Sequence, residues 1–148
     1  IQAKFKQMNT DQETNSQFVF DGESIPKKIK LWKERWTDIC NMGSKEGFDV
    51  IITLQPLAGS GNKQLSEQEN IYYEKRMRHF MDYYSLYGEA LTELNNSCTN
   101  VKDLRFAFDD YTETILYDGG HVVSKGNEII ANEMLDIILF SIHTKIKQ

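Results

Sequence analysis

Residues 48 to 57 read FDVIITLQPL, a short apolar and β-branched run closed by Pro56. Val50, Ile51 and Ile52 follow one another without polar alternation, so both faces of the strand must be covered. Parallel sheets meet that condition with helices on either side. Helical periodicity does flank the run. From Ser24, with Pro26 suited to a first turn, Ile29, Trp32, Trp36, Ile39 and Cys40 recur at helical spacing until Gly43 and Gly47, which are expected to end the helix. Beyond the strand, AGSGNKQL at 58–65 is a glycine-punctuated loop. Ser66 and Glu69 then have the spacing of a capping box, opening a helix whose apolar face is Tyr73, Met77, Phe80, Tyr84, Leu91 and Leu94 and which is expected to end near Asn95 to Cys98.

LRFAF at 104–108 is expected to be a second strand, with Asp109 and Asp110 leaving the sheet. Ser124 opens a last helix, for which Ile130, Met134, Ile137, Ile138 and Ile142 form the expected inner stripe. Residues 1–23 are polar, with only scattered apolar positions such as Phe18, Val19 and Phe20, and are expected to be an irregular leader or insertion. The order of helix, strand, helix, strand, loop and helix implies an α/β domain with a parallel sheet and right-handed crossovers. Two strands are too few for such a sheet. Residues 24–148 are therefore expected to be the C-terminal half of a domain whose other strands lie upstream.

With 148 residues, 40% of them hydrophobic and 26% charged, the chain has the make-up of one globular domain. A net charge of −5 without a basic run excludes a phosphate-binding groove, so no nucleic-acid partner is expected. No apolar run reaches the roughly 20 residues needed to span a bilayer. Cys40 and Cys98 have neither CxxC spacing nor paired histidines nearby, so each is expected to be a reduced, buried thiol, although spacing leaves a disulfide between them open.

Chemistry concentrates in YDGGHVVSKGNEIIA at 117–131. Asp118 stands three residues before His121 in a loop directly ahead of a helix, and Gly119 and Gly120 allow a tight bend between them. A carboxylate folded back onto one imidazole nitrogen sets the tautomer, leaving the other nitrogen as a general base. The string Asp118, His121, Ser124, Gly126 and Asn127 resembles the last conserved block of the SGNH/GDSL hydrolases, and FDVIITLQPLAGSGNKQLSEQE is similar to the penultimate strand and following loop of one branch of that family. Together they carry the resemblance from about Trp32 to the C-terminus.

That resemblance implies a flavodoxin-like three-layer α/β/α fold and hydrolysis of a small-molecule or carbohydrate acyl ester. It makes Asp118 and His121 the catalytic pair and requires no cofactor or metal. In such enzymes a serine attacks the acyl carbon, and the oxyanion rests on a backbone N–H, a glycine and an asparagine. The family's serine, glycine and G-x-N-D blocks have no counterpart here, so this chain alone is expected to be inactive, with its nucleophile in the missing N-terminal half of the same domain.

Two lookalikes are set aside. Gly22-Glu23-Ser24 is separated from the last strand by only one other, which leaves no room for a doubly wound order, and Ser24 serves better as a helix cap. Gly59-Ser60-Gly61 lacks the strand-to-helix elbow and reads as a flexible loop. Gln55, at the end of the first strand, either donates to substrate from the cleft rim or satisfies loop carbonyls. His79 and His143 read as solvated, and the two tryptophans and the tyrosines as packing residues. A metal site on Asp118, His121, Asp109 and Asp110 lacks a second histidine. The alternatives to a hydrolase are a non-catalytic α/β binding or interaction domain and, less well matched, a receiver-like domain, whose acidic pocket and lysine have no counterpart.

Overall fold

The computed structural model describes residues 24–146. The leader expected at 1–23, with its Phe18–Phe20 run, lies outside the described residues. Helix α1 spans Ser24–Glu46, strand β1 Ile51–Leu54, helix α2 Glu67–Tyr72, helix α3 Arg78–Glu93, strand β2 Asn100–Asp103 and helix α4 Ser124–Ile146. The two strands form a small parallel sheet, Ile51 opposite Asn100 and Leu54 opposite Asp103. The architecture is mixed α/β.

Helix α1 runs through Gly43 and stops at Gly47, which alone of the two terminates it. Gly47 takes φ +82°, and the N–H groups of Gly47 and Phe48 both donate to the Gly43 carbonyl, at 2.9 and 3.0 Å. A left-handed glycine with these bonds is a common helix stop. Gly43 is needed for its size, since a Cβ there would lie 2.6 Å from Val50 Cγ2. The glycine lets the chain double back tightly into β1.

Ile52 and Leu54 point into a core with Cys40 of α1 and Tyr84, Leu91 and Leu94 from the far end of the α3 region. Trp32 packs edge-on against Tyr87, with ring centroids 5.5 Å apart. This is the packing role expected of the aromatic stripe. A π-helical stretch, Tyr73–Met77, joins α2 to α3. Its wider turn rotates the apolar face, so Tyr73 and Met77 pack in a second core with Ala58, Phe108, Ile115, Leu116 and Ile129, while Phe80 and Tyr87 pack in the first.

The second strand is Asn100–Asp103, not Leu104–Phe108. The latter segment winds through turns, with Ala107 N–H donating to the Leu104 carbonyl and Asp109 N–H to that of Phe106. Leu104 and Phe108 are buried while Phe106 between them is exposed, whereas a strand would carry all three on one face. The thiols are not reduced: Cys40 and Cys98 form a disulfide, their Cα atoms 4.7 Å apart. Packing of α1 against α3 brings the end of one helix beside the exit of the other, a proximity that 58 residues of separation conceal.

The inner stripe of α4 is Ile129, Ile137 and Ser141, with Ile130 and Met134 half-buried, whereas Ile138 and Ile142 are exposed along with Leu135, Leu139 and Phe140. Apolar residues encircle this helix, so periodicity could not select its buried side. Lys102 of β2 pairs with Glu133 of α4 at 2.8 Å, tying the helix to the sheet. No helix among the described residues is long and apolar enough to cross a membrane.

Candidate active site

The loop between β2 and α4 is anchored from below by a buried carboxylate. Ser66 caps α2, the Glu69 N–H donating to its hydroxyl at 3.3 Å and Glu69 Oε2 accepting from the Ser66 N–H at 2.8 Å, so the capping box forms as expected. Glu69 does more than cap. It is fully buried, Oε2 also accepts from Lys63 Nζ at 2.9 Å, and Oε1 accepts from the N–H groups of Ile115 and Leu116, both at 2.9 Å. Burial by itself would raise the Glu69 pKa, but the Lys63 ammonium and the N–H groups of Leu116, Ser66 and Ile115 outweigh it and hold it at about 2.

Immediately after this anchor the chain folds back on itself. Leu116 bridges Val122 in antiparallel fashion, the Tyr117 N–H donates to the His121 carbonyl at 3.1 Å, and the Val123 N–H donates to that of Ile115 at 2.8 Å. Asp118 occupies the bend. Its Oδ1 accepts from the N–H groups of Gly120 and His121 at 2.9 and 2.8 Å, and its Oδ2 lies 2.8 Å from His121 Nδ1. Those backbone N–H groups, Gly120 first and His121 next, followed by the imidazole, hold the Asp118 carboxyl at about 2.

Neither glycine of the bend takes a positive φ; among the described residues only Gly47 and Gly59 do. Smallness is what the bend needs. A Cβ on Gly119 would lie 2.6 Å from Met77 Sδ, and one on Gly120 would lie 3.1 Å from Leu57 Cδ2. The segment leaving β1 supports the bend from the other side, Ala58 N–H donating to the Gly119 carbonyl at 3.1 Å and Gln55 Nε2 to that of Gly120 at 2.8 Å. Of the two roles open to Gln55, its amide takes the one of satisfying a loop carbonyl, while the side chain also borders the cleft. The Tyr84 hydroxyl, whose pKa burial pushes up, donates to the Gln55 carbonyl at 2.7 Å and fixes the strand end from the core side.

His121 stacks on Tyr117, with centroids 5.7 Å apart and planes 19° off parallel, and its side chain is 73% exposed. The ring borders two concavities at the C-terminal end of β1. One, of about 610 Å³, is lined by Thr53, Gln55, Tyr117, Asn127, Ile130 and Met134 among others; the second, of about 420 Å³, lies on the Tyr72, Arg76 and Met77 side. With Nδ1 bonded to a carboxylate, Nδ1 carries the proton and Nε2 keeps its lone pair. The pair can therefore accept a proton from a hydroxyl presented across the cleft.

Among the described residues no serine or cysteine lines either concavity; the hydroxyls there belong to Thr53 and to tyrosines 117 and 72. Ser60 lies in the loop after β1, its hydroxyl accepting from the Leu57 N–H at 2.9 Å and donating to the Arg105 carbonyl at 3.4 Å. Asp109 is clamped by the Asn62 backbone and amide N–H groups at 2.8 and 2.9 Å instead of joining Asp118, and no three potential metal-ligating side chains converge among the described residues. Glu69 and Tyr117 escaped sequence reasoning as parts of the site. Only the capping-box spacing pointed to Glu69, and it gave no sign of the second bonding partner 46 residues away. Comparison with protein-family models, curated proteins and solved structures gives no match.

Proposed function

We propose that this chain supplies the Asp–His half of a serine hydrolase of the SGNH/GDSL type. His121 acts as general base and then general acid, oriented by Asp118, on an acyl ester of a small molecule or carbohydrate. The nucleophilic serine and the oxyanion donors come from sequence upstream, which also supplies the strands that complete a flavodoxin-like α/β/α sandwich around β1 and β2. The observation that carries the proposal is the 2.8 Å bond between Asp118 Oδ2 and His121 Nδ1 at the C-terminal end of a parallel strand, with the ring bordering an open cleft. That end is where open α/β sheets place their ligands.

In the reaction, the serine Oγ–H bond breaks as its proton passes to His121 Nε2 and Oγ bonds to the acyl carbon. The imidazolium, stabilised by Asp118, returns that proton to the departing alcohol, and water then repeats the sequence to free the acid. A second reading, a binding domain that keeps the fold without the chemistry, draws on the cleft lining among the described residues, whose hydroxyls are those of Thr53, Tyr117 and Tyr72.

The parent protein, extended upstream, separates the two when assayed with short-chain p-nitrophenyl esters. Hydrolysis that falls about 10²–10⁴-fold in His121→Ala is expected. Full activity in that variant overturns the role of His121, and a parent with no activity and no serine block upstream establishes the binding domain.

A further inference from the structure

A different part of the molecule carries an exposed acceptor sequence. After α3 the chain makes one 3₁₀ turn, Leu94–Asn96, before Ser97 and Cys98 lead into β2. Leu94 and Cys98 are buried and pin the turn at both ends, while Asn95 and Asn96 are exposed. Asn95-Asn96-Ser97 is an N-x-S sequence whose middle residue is not proline, the acceptor pattern for N-linked glycans. By itself a three-residue pattern is weak. Here it adjoins the Cys40–Cys98 disulfide, a bond that is rare where glutathione keeps thiols reduced and common in the oxidising secretory compartment, where such glycans are attached.

We propose that Asn95 is N-glycosylated. The amide Nδ2 bonds to the anomeric carbon of an oligosaccharide carried on a polyprenyl diphosphate, the carbon–oxygen bond to the diphosphate breaks, the lipid diphosphate departs with that electron pair, and the amide releases one proton. The neighbouring Asn96 has a cysteine rather than a serine or threonine two residues on and falls outside the acceptor pattern, so Asn96 is not the acceptor. Asn95 precedes β2, at the N-terminal end of the strands, whereas the cleft opens at their C-terminal end. A glycan there leaves the cleft clear.

The test is translation of the full chain, behind a cleavable secretion signal, into rough microsomes, with protease protection confirming translocation. Attachment does not require the folded state, so a variant that folds poorly still gives a readable result. A single slower band that collapses under peptide N-glycosidase is expected for the wild type and for Asn96→Gln. It should be missing from Asn95→Gln and Ser97→Ala. A translocated wild-type chain without the slower band overturns the proposal, as does a band that survives Asn95→Gln. So does the protein from its natural source if its Asn95 peptide is unmodified by mass spectrometry.

Discussion

Replacing Glu69 by Gln tests how the site loop is held. The carboxylate accepts from four donors with no exposure to water, and in the folded chain its pKa lies at about 2 against an ordinary 4.5. At about 1.4 kcal/mol for each tenfold change in ionisation, that difference contributes roughly 3 kcal/mol at neutral pH. Because the folded value is depressed, the contribution is fully present above about pH 5 and is lost as pH falls through the folded value. By about pH 3 it has dropped to less than half. Gln cannot accept from all four donors, since its amide nitrogen must face either the Ile115 and Leu116 N–H groups or the Ser66 N–H and Lys63. Urea unfolding should therefore show Glu69→Gln less stable by about 3 kcal/mol or more at pH 7, with the gap to wild type narrowing toward pH 3. Amide exchange should quicken at Ile115 and Leu116 ahead of the rest of the chain. A loss below about 1 kcal/mol at pH 7, or a loss independent of pH, would refute the reasoning.

The remaining predictions concern the disulfide and the carboxylate of the pair. Cys40→Ser with Cys98→Ser opens a loop with a sequence separation of 58, and the entropy of closing such a loop puts the loss at about 4 kcal/mol; a urea midpoint unchanged from that of the oxidised wild type would contradict it. Asp118→Asn substitutes an N–H₂ for one acceptor oxygen and removes the charge opposite the imidazolium, so under the proposed hydrolase function kcat of the parent protein should fall on the order of 10³–10⁴-fold with KM little changed. The folded Asp118 pKa of about 2 keeps the carboxylate charged throughout the neutral range, so any acid limb of the activity profile above about pH 4 must belong to another group.

What was legible in the sequence was what depends on local spacing. Helix α1, the Ser66–Glu69 cap and the approach of Asp118 to His121 all arise from residues within four positions of one another, where backbone geometry alone decides which side chains meet. The misplacement of β2 has the opposite cause. NVKD contains one β-branched residue, and only pairing with β1 makes it a strand, whereas LRFAF has strand-like residues that packing of Leu104 and Phe108 draws into turns. Likewise, Cys40 meets Cys98, and Glu69 meets Ile115, only after α1, α2 and α3 have packed. A helix apolar all round, as α4 is, carries no local mark of its buried side.

The distribution of burial across the site has a physical logic of its own. The imidazole is largely exposed, yet every group that aims it is fixed: Glu69 holds residues 115 and 116, Gln55 and Ala58 hold the carbonyls of 120 and 119, and Asp118 closes the bend on itself. Polar ties, together with the Tyr117 ring stacked on one face, thus set the ring's position, which lets it stay accessible without losing its tautomer. Exposure also has a cost for chemistry, because water screens the attraction between imidazolium and carboxylate that a proton transfer exploits. Under the proposed function, further strands of the domain or the substrate must therefore cover the face of the ring. Burial of the His121 ring on completion of the domain should accordingly accompany activity, and a parent protein that hydrolyses esters while the ring remains as exposed as it is here would show that screening does not limit this site.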